Sequence, residues 1–501
     1  MEFMEMSYRK RSFILILIIV LGLMVGQPRM AWPQQSGSAF ELGSIATPRT
    51  INPASNSNTP SSLAGQQQNP FLGSVPTGQA TADPIDLSLQ EAVGRGLRFN
   101  LGVIENQASL NQAQAQRLRA LSSMLPNVGA LVRQNLDELN RVAIGLKIPG
   151  IPASTGQFSY QESYVTFSEN GLNVETAYRL RAAQRSADAD KYSLEDARDV
   201  VALVVGTAYL QVISSQSRLD TAQAQLDVAR TLEEQTANQV HSGLSPEIDG
   251  FRATVQRQTD EQRVIVAKAN VEKDKLTLAR LIGLPPGQQF KITSSAPYQT
   301  WSGPELSAAL EQAKQGRADL KSAQVAAQAA SLQKRAAQFE RLPALSVNGY
   351  YGAIGTTLGH SDQTYTVAAT LSLPIFTGGR IRADVKDSSA QFDRKQSEYL
   401  DLTGRVDYEV RNAFTDLTAA DSAVHVAESN QQLAQKTLEQ ARDRFANGVT
   451  NNLEVVEAQQ DVAAANENYI ASLFAHNLAK LALLRALGTA QHDMNRYLGG
   501  K

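Results

Sequence analysis

Residues 441–460 read ARDRFANGVTNNLEVVEAQQ. A helical run arrives at Phe445, halts at Asn447-Gly448, and a second run departs from Leu453. Glycine just past a helix end supplies the left-handed cap, and Asn451 or Asn452 can accept from the first free amides of the next helix. The stretch 239–256, QVHSGLSPEIDGFRATVQ, does nearly the same. There Gly243 takes the place of Gly448, and Ser245-Pro246 open the second helix with proline at a first-turn position, where no amide is needed. Two helical hairpin tips in corresponding places predict an internal repeat.

Working outward from the tips, each half has one plan. In the first repeat, 85–303, a helical run from Leu89 to Ser122 stops at Leu125-Pro126, and a β-hairpin follows over 127–170. A very long helix spans 178–240, with Gly206 its only glycine; the tip is 241–247, and a helix returns over 248–282. Apolar positions Val264, Ala267, Val271, Leu278 and Leu281 sit at coiled-coil spacing. In the second repeat, 304–488, a run from Leu306 to Phe339 stops at Leu342-Pro343, the counterpart of Leu125-Pro126. A hairpin spans 344–374, with Leu345, Val347 and Gly349 on one face of its first strand. Tyr365, Val367, Ala369, Leu371 and Leu373 share a face of its second. A long helix runs 380–445, the tip is 446–452, and a helix returns over 453–487, with Val455, Val462 and Tyr469 every seven residues. Residues 489–501 read as a C-terminal tail.

Before the repeats, Arg9, Lys10 and Arg11 precede the apolar run FILILIIVLGLMV, 13–25. A spanning helix needs about 20 residues, so 1–31 reads as a signal peptide, a short uncleaved anchor being the alternative. No other run reads as a membrane-spanning helix, so insertion must use strands. Residues 32–84 are rich in Ser, Gly, Pro, Asn and Gln and read as a disordered arm.

A net charge of −2 gives no footprint for nucleic acid. The absence of cysteine excludes disulfides, Cys-ligated zinc, thiol catalysis and a lipid-modified N-terminal cysteine. His241, His360, His425, His476 and His492 show no ligand spacing to one another, so no metal site is read. Gly94-Arg95-Gly96 followed by Phe99 is an incomplete dinucleotide fingerprint inside a helix. No P-loop occurs, and no cofactor is expected.

Helices of about 100 Å, at 1.5 Å per residue, cannot fold into a ball and must lie side by side. Four strands of membrane-crossing length cannot close on themselves, and an open edge in lipid costs several kcal/mol per unpaired group. The pattern therefore predicts an oligomer sharing one β-barrel, from which a helical tube projects. A soluble helical protein with two surface hairpins is the bland alternative, and it explains neither the repeat nor the export signal.

LSLPIFTGGRIRADV at 371–385 and FANGVTNNLEVVEAQQDVAAA at 445–465 carry a resemblance. Over 87–488 the chain resembles the TolC-like outer membrane efflux proteins. The resemblance implies a homotrimer with a twelve-stranded barrel in outer membrane lipid, continuous with a periplasmic α-helical barrel. It implies a passive exit duct of a tripartite efflux or type I secretion system, not an enzyme. A periplasmic adaptor (membrane fusion protein) would link it to an inner-membrane transporter, whose identity sets the substrate. A periplasmic coiled-coil adaptor or structural scaffold is the competing reading, but it would carry one hairpin flanked by β-rich domains.

The resemblance also places residues. Glu454 and Glu457, with Asp249 in the first half, fall where acidic rings line the periplasmic aperture. Three like charges per ring would raise carboxylate pKa values or recruit cations; solvated outer-face acids are the alternative. Thr450 stands where the family often has a latching arginine, and Phe445 where a tyrosine hydroxyl would assist, so a gate held by packing is expected. The tips Gly243-Leu244-Ser245 and Gly448-Val449-Thr450 fall where the adaptor docks, though turn chemistry alone would need the glycines. Pro374, Gly378 and Gly379 form the barrel-to-helix turn. The first half lacks this turn, having Gly171-Leu172-Asn173-Val174-Glu175, and its hairpin carries an extra loop with Pro149 and Pro152.

Overall fold

The computed structural model describes residues 69–498 except 170–172, 244, 296, 358, 448 and 451. The expected signal peptide (1–31) and most of the expected arm (32–84) lie outside these residues.

The arm's last part is not the disordered segment expected. Pro70–Leu72 form a short 3-10 turn capped by Asn69. Val75 N donates to Phe99 O (2.9 Å), Thr77 N to Gly283 O (3.3 Å) and Thr81 N to Gln288 Oε1 (2.7 Å). A polar chain can be held by backbone pairing even when it buries little apolar surface. The arm leads into β1 (Ile85–Leu87), which pairs in parallel with β4 (Phe290–Ile292).

The run 89–122 is two helices, α1 (Leu89–Phe99) and α2 (Leu101–Ser122). Ser88 and Glu91 close a reciprocal cap on α1. The break is Asn100, which is extended; its side chain caps Gly102 N and reaches Phe71 O. The run 306–339 breaks likewise at Arg317, between α5 (Leu306–Gly316) and α6 (Ala318–Phe339). Asparagine serves as a cap and arginine as a buried ion-pair partner, and an apolar-periodicity reading sees neither role. Equivalent elements start 217 residues apart: 89 and 306, 101 and 318, 127 and 344.

The four-stranded antiparallel sheet runs β2 (Asn127–Asn140), β3 (Ser154–Glu169), β5 (Ala344–Thr357), β6 (His360–Ser372), in that order. Register gives its two faces different chemistry. Val165 lies opposite Tyr351 and Tyr351 opposite Tyr365; Phe167, Gly349 and Val367 form the next row, and Leu345 meets Leu371. Val128 and Val132 share this face through Phe167 and Ser163. Val128, Val132, Leu136, Val367 and Leu371 are each more than 60% exposed. The other face carries Arg133 opposite Glu162, Asn348 beside Ser168, and Thr366 beside Tyr350. Strands β2 and β6 are both open edges.

The long helices are α3 (Val174–His241) and α7 (Arg380–Ala446), each about 100 Å at 1.5 Å per residue. Helix α3 starts four residues before the expected 178, because Asn173 caps it by accepting from Thr176 N. Helices α4 (Glu247–Leu281) and α8 (Asn452–Leu487) return along them. The expected tail contains α9 (Ala490–Leu498), launched by Gly488 at φ +75°. Its Ala490, Met494 and Leu498 are buried at i, i+4, i+8, a stripe too short to stand out in the sequence.

The main core lies where these elements converge on β1 and β4. Val201, Val205, Tyr209, Leu278, Leu481, Leu484 and Met494 are buried together, and each large aliphatic contributes roughly 1.5–3 kcal/mol. Buried Tyr209 donates to Leu87 O (3.0 Å) and accepts from Ser294 N (3.2 Å). Gly206 is explained here: a Cβ would stand 3.0 Å from Met494 Sδ and 3.2 Å from Leu481. Gly96 likewise packs on Val205 within α1. A second cluster joins Val406, Val410 and Leu417 to Leu483 and Leu487; a third, near the tips, holds Leu232, Leu438, Val455 and Val462. Contrary to the sequence reading, α3 and α8 contain stretches long and apolar enough to cross a membrane, but about half of each stretch is buried inside the fold.

Candidate functional site

At the first tip, Gly243 has φ +73° and donates to Val240 O (3.0 Å), with nothing within 4 Å of a would-be Cβ. Leu244 lies outside the described residues. The Ser245 hydroxyl donates to Gln239 Oε1 at 3.2 Å. Pro246 occupies the N-cap itself, so the helix opens one residue later than proline's usual place implies. Asp249 is buried, with Oδ1 3.3 Å from Arg252 Nη1. Its neighbours Ile248 and Phe251 are exposed.

At the second tip, Gly448 and Asn451 lie outside the described residues. The turn is closed by Asn447 N donating to Asp443 O (3.1 Å) and Val449 N to Arg444 O (2.9 Å). Val449 is exposed, whereas Phe445 packs against the third cluster. Glu454 is spanned from both sides: Arg444 Nη1 donates to Oε1 at 2.7 Å, and the Thr450 hydroxyl donates to Oε2. Thr450 and Glu454 are thus brought together, and Arg444 joins them. Sequence reading missed Arg444, although a cation four residues before the tip glycine and an acid six after it straddle the turn. Glu457, i+3 from Glu454, is exposed.

At the other end of α7, Gly378 (φ +60°) and Gly379 (φ +90°) turn the chain, and Gly379 is the N-cap. The half-exposed Pro374 precedes Ile375 and Phe376, which are 92% and 90% exposed. Glu340, just past α6, accepts from Arg380 of α7 (2.9 Å) and Arg179 of α3 (3.1 Å). One carboxylate therefore ties the starts of both long helices, a pairing between residues 161 positions apart in the chain.

Tertiary structure also assembles what histidine spacing did not show. His425 and His476 both pack on Tyr298, with ring centroids 5.3 and 5.1 Å away. The Tyr298 hydroxyl donates to Asp421 Oδ1 at 2.8 Å and stands 3.0 Å from His425 Nε2. His476 is fully buried, and burial, then the charge of nearby Lys480, holds its pKa below the usual histidine value. Lys480, also buried, donates to Gln299 O. Burial lowers its pKa to about 8, against the opposing pull of Asp421.

The fold thus combines two long antiparallel helical hairpins with one four-stranded sheet of unlike faces. The family described as "Outer membrane efflux protein" matches residues 309–489, from within α5 to just past α8. The chain is 24% identical over 421 residues to the pyoverdine export outer membrane protein OpmQ of Pseudomonas aeruginosa, covering 81% of this chain and 85% of that one. It is 22% identical over 402 residues to the outer membrane protein TolC of Vibrio cholerae, covering 78% and 91%. Among solved structures, the outer membrane protein VceC of Vibrio cholerae superposes with TM-score 0.69 at 19% identity, covering 80% of this chain and 96% of that one. The open-state MtrE channel of Neisseria gonorrhoeae superposes with TM-score 0.66 at 18% identity, covering 83% and 94%.

Proposed function

We propose that the chain is one protomer of an outer membrane exit duct, a passive channel for substrates delivered from the inner membrane. The observation that carries this reading is the sheet. One face is apolar and exposed, the other polar, and both edges are unpaired. In lipid such edges must be met by other copies, and three copies of a four-stranded sheet make twelve strands. The apolar face meets lipid, the polar face lines the pore, and the helical hairpins extend the lumen into the periplasm. The relatives' names, among them an export protein and TolC, support the same role and location. Heat-resistant trimers in outer membrane fractions, conducting in planar bilayers, are the expected result; a monomer recovered in the soluble periplasm would defeat the reading.

In this duct the tips form the periplasmic aperture. Glu454 and Glu457 line it and favour cations, while Arg444 and Thr450 hold Glu454 across each tip. Cation preference should fall when Glu454 and Glu457 are both replaced by glutamine. The apolar Val449, with Ser245 and Thr450, offers the tip surface for a periplasmic adaptor bridging to an inner-membrane transporter. Val449→Glu should abolish adaptor cross-linking while leaving trimers intact.

A further inference from the structure

The upper part of the β2–β3 hairpin runs on without the rest of the sheet. Strand β5 pairs with β3 only as far as Gln161 opposite Gly355, whereas β2 and β3 stay paired to Asn140 opposite Ser154. At about 3.3 Å per residue the hairpin outreaches that ladder by roughly 20 Å. Its head, residues 141–153, reads RVAIGLKIPGIPA and exposes five large aliphatic side chains: Val142, Ile144, Leu146, Ile148 and Ile151. The head is hydrogen-bonded within itself. Arg141 N donates to Ala153 O (2.8 Å), Leu146 N to Arg141 O (2.9 Å) and Ile151 N to Ile148 O (3.2 Å). The exposure therefore belongs to a formed loop. Beneath it the register shifts between Glu138 and Asn140, Gly156 has φ +67°, and Leu139 N donates to Thr155 Oγ1 (2.9 Å). A bulge of this kind bends the ribbon and re-aims what it carries.

Two candidates could cover an apolar patch at this position, lipid or another copy of the chain. The lipid-facing band ends at Leu136; above it β2 carries Asp137, Glu138 and Asn140, interrupted only by Leu139, and Arg141 follows at the base of the head. This polar collar separates the head from the lipid-facing surface. Strand β2 is also an edge strand, so in the duct its head stands beside the next copy. We propose that the heads of the copies meet over the outer mouth and bury these aliphatic side chains against one another. The inference rests on the trimeric duct reading. It gives the channel a second, apolar constriction at the end opposite the tips, which resists water and ions by dewetting rather than by charge.

Because the chain has no cysteine, single substitutions report only contacts between copies. Ile144→Cys and Ile148→Cys should form copy-to-copy disulfides on oxidation of native trimers, at least tenfold more than Thr357→Cys on the neighbouring turn. Replacing the five aliphatics by serine should raise single-channel conductance about twofold and admit large antibiotics from outside. Heat-resistant trimers without head disulfides, and with quenching of an Ile144→Trp variant by brominated lipid, would place the heads in the membrane and overturn this inference alone. Failure of the unsubstituted protein to form trimers would overturn it together with the duct reading.

Discussion

Lys480 is 1% exposed, and its pKa of about 8 lies below the 10.5 of a free lysine. The unfolded chain therefore binds more protons than the folded one between those values, and stability rises with pH across that window. The full effect is on the order of 3 kcal/mol. Denaturant midpoints of the purified protein should climb from pH 8 to pH 10, and the climb should vanish in Lys480→Met. A different size of effect belongs to Arg444 and Glu454, an ion pair whose side chains are 55% and 37% exposed. Such pairs contribute roughly 0.2–1 kcal/mol, so Arg444→Ser should barely move the unfolding midpoint. Its effect should appear in bilayer recordings as a higher open fraction. The family resemblance could name Glu454 and Thr450, carried over by their offsets from the tip glycine. It could not name Arg444 as their partner, since that pairing needs the turn to be closed.

The elements depend on a few backbone positions. Gly378 and Gly379 stand at φ +60° and +90°, where a β-carbon costs about 1–2 kcal/mol. Gly379→Ala should lower stability by that amount and slow insertion, measured as loss of heat-resistant trimer; Gly359→Ala on the β5–β6 turn, with nothing within 4 Å, should not. Glycine also acts through space. Gly206→Leu would drive a side chain into Met494 and Leu481 and should cost several kcal/mol, as overpacking does. The long helices, the two hairpins and both tips were legible because period, proline and glycine mark them. The breaks at Asn100 and Arg317 were not, because each interrupts an apolar stripe for reasons that lie in another segment: Phe71 in one case, Glu409 in the other.

At the scale of the whole chain, Arg317 ties α5, α6 and α7 together through Asp319 (2.6 Å) and Glu409. Burial would raise the Asp319 pKa, but the hydrogen bond and charge of Arg317 outweigh it and hold the carboxylate below its usual value. Its contribution is present above the unfolded pKa and is lost as pH falls through the depressed folded one. Arg317→Met strands these acids and should cost about 3 kcal/mol at neutral pH, less in acid, read from denaturant midpoints.

The sequence by itself determined the repeat plan of long helices, hairpins and tips, the family resemblance and the faces of β5 and β6. These follow from local periodicity and from turn residues, which need no distant partner. The tertiary structure decided the rest. It docked residues 69–83 onto the core, turned the expected tail into α9, and gathered Tyr298, Asp421 and the exposed His425 beside the buried His476 and Lys480. Each of these depends on groups far apart in the chain. Their desolvation and pairing have no local signature and exist only once the long helices lie side by side.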